Sequence, residues 1–308
     1  MASSLAPLFD PAGVLNGLAF DHRDSLDVLL LDRGLGDLRQ SGVQALKAAV
    51  VRAVAPAASA VMLDHEYGAA AIASGAIPRG VGLIMPLEAQ GYAQLGDERH
   101  VALMEDVGPA DALDLGAAAC KLLVPMRPDR QAFTTEQLAV VDRAVTASHR
   151  VGLPIILEPL VYRLSAEAPG AFADQITRLV VAAVGVFARG GADLLKLPFP
   201  SLGDVTTPEG AVEGRGACEA MHAATAGVPW VLYGAGASPI AFEAQLRIAG
   251  EAGASGFLVG RSVWLDALRA DPVETEVEAR EWALPRFRRY AAVARDACRP
   301  LRVVPEGG

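Results

Sequence analysis

Eight short apolar runs recur along this chain, and they constrain its fold more than any other feature. They lie at 17–20, 59–63, 81–85, 117–124, 153–157, within 190–200, at 230–233 and at 256–259. Segments with helical spacing separate them. Parallel strands need a crossover of a dozen or more residues, usually a helix, so this alternation predicts an α/β protein. Polar or conformationally special residues close nearly every run. Examples are Asp21-His22-Arg23-Asp24 after the first, Asp64-His65-Glu66-Tyr67-Gly68 after the second and Glu158-Pro159 after the fifth. A barrel mouth ringed by loops fits that pattern better than a doubly wound sheet, the alternative fold. The expectation is one (β/α)8 TIM barrel over residues 1–308, with no linker or composition shift dividing it.

The segments between the runs carry helix signals. Thr134 and Gln137 read as a capping box before Leu138, Val141 and Val145. Ser238-Pro239 reads as an N-cap with proline at the first helical position. Phe242, Leu246 and Ala249 then share a face, and Gly250 and Gly253 read as its end. The longest apolar run, 179–188, lies between Arg178 and Arg189 and is too short to span a bilayer, so it reads as a buried helix. Trp264 and Trp282 read as packing anchors.

The net charge of −9 argues against non-specific binding to nucleic acid or an anionic membrane. Three cysteines, Cys120, Cys218 and Cys298, make no CxxC or metal-ligand spacing and point to a reducing compartment. The first residues show no basic head followed by an apolar run, so no signal peptide is read and a cytoplasmic location is expected.

Lysine stands at only three of the 27 basic positions: Lys47, Lys121 and Lys196. Two of these interrupt apolar strand-like runs, in CKLLVP and LLKLPFP. An ammonium is costly to desolvate, whereas a lysine in a dry site can lose its proton and attack a carbonyl as a Schiff-base nucleophile. A snorkelling surface lysine is the plainer reading. In a barrel, Glu158 on the fifth strand would lie between Lys121 on the fourth and Lys196 on the sixth. Lys196 could then be a nucleophile and Glu158 its proton shuttle. A charged Lys121 would help keep Lys196 neutral. A buried Lys–Glu–Lys ion cluster with no catalytic role is the alternative.

Gly234-Ala235-Gly236 after the seventh run and Gly260-Arg261-Ser262 after the eighth suggest an anion site, because barrels often bind phosphate there. A helix beginning near Ser262 would add its positive end. The cluster Asp21, His22, Arg23 and Asp24 could orient substrate hydroxyls or bind the phosphate; a solvated loop is the alternative. Asp64, His65 and Glu66 lack further ligands at metal spacing, and His65 reads as a loop residue.

Several segments together resemble the class I aldolases that act on tagatose 1,6-bisphosphate and 6-deoxy-6-sulfofructose 1-phosphate. They are LAFDHRD at 18–24, MLDHEYG at 62–68, LEAQGY at 87–92, ACKLLVP at 119–125, ILEPLVY at 156–162, ADLLKLPFP at 192–200, PWVLYGAGAS at 229–238 and GASGFLVGRSVW at 253–264. The resemblance implies a Schiff base on Lys196 within a D-x-x-K-x-x-x-P segment, acid/base work by Glu158 and assistance from Lys121. It implies that Asp21 and His22 contact the triose part of the substrate, and that Gly260 and Arg261 hold an anionic group.

The implied reaction is reversible cleavage of a phosphorylated sugar, a ketose 1-phosphate, into dihydroxyacetone phosphate and a three-carbon aldehyde. No metal or other cofactor is implied, because the iminium ion is the electron sink. A homo-oligomer is expected. The chain departs from the family pattern at His22, where glutamine is frequent, and at Gly234, where serine is usual. Those departures leave open a sugar-phosphate-binding regulator with little turnover, and a phosphosugar isomerase or epimerase is a third reading. Arg79, Arg127 and Arg163 are candidates for a second anion.

Overall fold

The computed structural model describes residues 4–89, 93–95 and 97–301. Eight parallel strands close into a barrel: β1 (Leu15–Phe20), β2 (Ala60–Leu63), β3 (Gly82–Pro86), β4 (Ala117–Met126), β5 (Ile155–Val161), β6 (Leu194–Leu197), β7 (Trp230–Tyr233) and β8 (Gly256–Val259). Each pairs with its neighbours in chain order, and β8 returns to β1 through Leu15↔Gly256 to Leu18↔Val259. The (β/α)8 expectation therefore holds, and all eight runs are strands. Two extend further than expected. β4 and β5 continue past Pro125 and Pro159 in a common register that reaches Met126↔Val161. A strand proline removes only its own N–H, and the residues on either side keep the ladder.

Strand alternation sorts the apolar residues into two layers. Leu15, Ala19, Ala60, Met62, Ile84, Ala119, Ile156, Leu194, Val231 and Leu258 fill the barrel interior, and Leu8 packs with them from the turn Ala6–Leu8. The opposite faces, including Phe20, Leu63, Cys120, Leu157, Leu195 and Phe257, pack in the larger outer core. The interior is tight: a Cβ on Gly17 would stand 2.2 Å from Leu258 Cδ2.

The helix readings fare unequally. Ser238 caps Pro239–Glu251 by accepting from the Ala241 N–H, and Phe242, Leu246 and Ala249 are buried as expected. Gly250 lies inside that helix rather than at its end. The run at 179–188 belongs to Ile176–Ala188, which buries Leu179, Val180, Ala183, Val184 and Phe187.

The Thr134 capping box is corrected. The helix Gln131–Arg150 begins three residues earlier, and the Thr134 hydroxyl donates to the Arg127 carbonyl at 3.1 Å. Gln137 is drawn away by tertiary contacts, donating to the Pro125 carbonyl and accepting from the Val101 N–H. Trp264 is a packing anchor, stacked on Phe20 with ring centroids 4.1 Å apart, whereas Trp282 is 62% exposed and anchors no core. All three cysteines are buried and unbridged, and burial pushes the Cys218 and Cys298 thiols up to about 12. Among the described residues no helix is long and apolar enough to cross a membrane.

Candidate active site

The alternation that fills the barrel with Ala19, Ala119, Ile156, Leu194 and Val231 also decides what stands above them. Two residues further along each strand, on the same face, come Asp21, Lys121, Glu158, Lys196 and Tyr233. All five line a cavity of about 650 Å³ at the C-terminal end of the barrel. Glu88, which follows β3, completes the polar layer. It is fixed by a bridge to Leu103 and by accepting from the Leu123 N–H at 3.1 Å.

Lys121 Nζ is the hub. It lies 2.6 Å from Glu88 Oε1, 3.0 Å from Asp21 Oδ2 and 3.1 Å from Glu158 Oε2. Burial disfavours its charge, but Asp21, Glu158 and Glu88 together outweigh burial and hold its pKa well above the ordinary lysine value. Burial likewise works against an ionised Asp21, yet Lys121, followed by Lys196 and His22, pulls its carboxyl well below the usual range.

Glu158 Oε2 also accepts from Lys196 Nζ at 2.8 Å, so one carboxylate oxygen touches both lysines. Lys196 Nζ stands 5.2 Å from the centre of the Tyr233 ring. The two amines differ in commitment. Lys121 is surrounded by three carboxylates, whereas Lys196 has one carboxylate and faces the cavity. An amine within proton-transfer distance of a carboxylate, in a site that admits a ligand, can carry out nucleophilic chemistry on a carbonyl.

Gly234, Ala235 and Gly236 enter the cavity wall from the end of β7, and Gly260 and Arg261 from the end of β8. Ala235 and Gly236 both have positive φ, at 45° and 86°. At Gly236 a Cβ would stand 3.2 Å from Arg261 Nη2, so glycine is what lets the guanidinium lie against this turn. The helix after Gly260 is only Arg261–Trp264, too short to add the helix-end field that the sequence suggested.

His22 also lines the cavity, edge-on to Trp264 at 5.2 Å. Burial lowers its pKa to about 4; Asp21 works in the other direction, and Arg261, Lys47 and Lys196 reinforce the fall.

Other expected residues are placed elsewhere. Arg23 is buried but turned out of the cavity wall, with its guanidinium on the Glu88 carbonyl at 2.7 Å and on Met104 Sδ at 3.2 Å. Arg127 is closed by Asp129, Glu167 and the Tyr162 carbonyl, and Arg163 is held by the Glu167 carbonyl. Neither lines the cavity, nor does Arg79. Asp64 pairs with Lys47. Within the segment 87–92, residues 90–92 lie outside the described residues. Glu88 and Lys47 escaped sequence reasoning. The signals for Glu88 were its place two residues after the third strand's proline and inside the segment LEAQGY at 87–92.

A family model described as "DeoC/LacD family aldolase" matches residues 17–266. Among curated proteins, the tagatose 1,6-diphosphate aldolase of Listeria monocytogenes serotype 4b (strain CLIP80459) is 29% identical over 293 residues, covering 90% of this chain and 85% of that protein. Tagatose 1,6-diphosphate aldolase 1 of Streptococcus pyogenes serotype M3 (strain SSI-1) is 29% identical over 285 residues, covering 88% and 86%. Among solved structures, an archaeal fructose 1,6-bisphosphate aldolase superposes with a TM-score of 0.62 at 19% identity, covering 94% of this chain and 96% of that one. Another, titled as having its catalytic Lys covalently bound to a carbinolamine intermediate, superposes at 0.61 with 18% identity and the same coverage.

Proposed function

Since this chain belongs to the DeoC/LacD aldolase family and is a carbon–carbon lyase, we propose that it cleaves a ketose 1-phosphate reversibly through an imine on Lys196. The observation that carries this reading is the shared carboxylate oxygen: Glu158 Oε2 lies 2.8 Å from Lys196 Nζ and 3.1 Å from Lys121 Nζ. The names of the curated relatives supply the sugar phosphate class, and the covalently trapped lysine named for an archaeal aldolase supports an imine.

In this mechanism Lys196 passes a proton to Glu158, its neutral Nζ attacks the C2 carbonyl of the open-chain ketose, and a proton moves from the nitrogen to the alkoxide oxygen to give a neutral carbinolamine. Glu158 gives a proton to the departing hydroxyl, water leaves, and a protonated imine remains. Glu158, again a carboxylate, takes the proton of the C4 hydroxyl as the C3–C4 bond breaks. The bonding electrons move into an enamine and the aldehyde departs. Protonation at C3 and attack of water on the imine carbon release dihydroxyacetone phosphate and regenerate the amine. Charged Lys121 holds Asp21, Glu88 and Glu158 in place. Arg261, with the Gly234–Gly236 turn, receives the 1-phosphate.

Incubation with dihydroxyacetone phosphate and borohydride, followed by intact mass and peptide mapping, tests the reading. The expected product is one reduced adduct on the peptide containing Lys196. An adduct on Lys121 instead, or none in folded protein shown to bind the ligand, overturns it.

A further inference from the structure

The far end of the substrate can be read from how the cavity's charges are already spent. Its wall contains three permanently or conditionally cationic groups besides His22: Lys121, Lys196 and Arg261. Lys121 is committed to three carboxylates, and Lys196 is the amine of the proposed imine. Arg261 alone is left to receive an anion, beside the glycine turn that suits the 1-phosphate. The same wall contains four carboxylates: Asp21, Asp24, Glu88 and Glu158.

Toward the mouth, strand alternation places Leu123 two residues beyond Lys121 and Leu160 two residues beyond Glu158, and both line the cavity together with Ala89. The helix Asp24–Asp32 adds Val28 and Leu29. None of the arginines the sequence offered for a second anion, Arg79, Arg127 and Arg163, lines this wall. Arg127 is closed by two carboxylates, and Arg23 and Arg163 are bonded to main-chain carbonyls. A second phosphate at this end would lose water to apolar walls and meet no cation in the cavity wall beyond Lys121, Lys196 and Arg261.

We infer that the substrate carries one anionic group, the 1-phosphate, and that its other end is an uncharged tail seated against Leu123, Leu160 and Ala89. This rests on the ketose 1-phosphate reading above, and it excludes a second phosphate or a sulfonate at C6. An uncharged three-carbon aldehyde is then the other product.

Calorimetric binding of a hexitol 1-phosphate and the matching hexitol 1,6-bisphosphate to the whole protein tests it. Neither polyol has a carbonyl, so the result is independent of the imine, whose own failure would appear only in the borohydride experiment. The monophosphate is expected to bind about tenfold more tightly or better, roughly 1.4 kcal/mol. Equal affinities, or tighter binding of the bisphosphate, overturn the inference. Leu160→Lys, which puts a cation in the apolar wall, is expected to shift the ratio toward the bisphosphate by about tenfold. An unchanged ratio in a folded variant overturns the placement of the tail.

Discussion

Lys47 and Lys196 are both buried lysines lying against a carboxylate, and the difference between them lies in what their donors meet. Lys47, on the helix Gln40–Val54, is fully enclosed. Its three hydrogens are answered by the Asp64 carboxylate, the Phe20 carbonyl at 3.0 Å and the His22 carbonyl at 2.6 Å. Lys196 donates to Glu158, and the space before it is cavity. Burial alone therefore does not mark a reactive amine. A lysine whose donors are all satisfied by fixed groups is a structural clamp, here joining the loops after β1 and β2. One with an acceptor on one side and room for a ligand on the other is available for chemistry.

Substitution at each site should separate the two roles. Lys196→Ala is expected to lower kcat by about 10⁴-fold or more, because the proposed imine can no longer form. Glu158 keeps Lys121 at 3.1 Å, so the melting temperature should barely move. A variant retaining a tenth of wild-type turnover would break the comparison from the side of Lys196. Lys47→Met should act in the opposite sense. It leaves the Asp64 carboxylate buried without its cation and is expected to cost about 3–5 kcal/mol of stability, read from urea unfolding. Turnover per folded molecule should fall far less than in Lys196→Ala. If Lys47→Met abolished turnover and left stability intact, Lys47 would be the reactive amine and the clamp reading would be wrong.

These two lysines also mark what the chain made legible. Lys121, Lys196 and Glu158 were readable because each interrupts a short apolar run, and period-two alternation in a closed barrel brings such residues to one mouth. Lys47 sits in QALKAAV, where a helical lysine ordinarily reaches solvent, so no local pattern announced its burial. Glu88 lies beyond its strand and depends on a bridge to Leu103, a contact between separate segments. The arginines differ only in tertiary partners: Asp129 and Glu167 close Arg127, and Arg261 rests against Gly236 in the cavity wall. Nothing in the flanking residues separates those cases. The eight strands were legible for the opposite reason, since alternation and closure depend on residue type at short range.

His22 connects the two regions, its carbonyl gripped by Lys47 and its ring facing the cavity, and it offers the smallest and sharpest test. Burial lowers its pKa to about 4 in the folded chain; Asp21 favours the proton, and Arg261, Lys47 and Lys196 oppose it. In the unfolded chain the value returns to roughly 6.5. The stabilising contribution is therefore complete above about pH 6.5. It is lost as the pH falls toward 4, because there the unfolded chain takes up a proton that the folded one refuses. His22→Gln removes this component. Urea midpoints at pH 7 and pH 4.5 should fall further for the wild type than for the variant. Equal losses would mean that the ring is not held neutral against Trp264. The clamp would then fix the main chain at this position without fixing the side chain that faces the cavity.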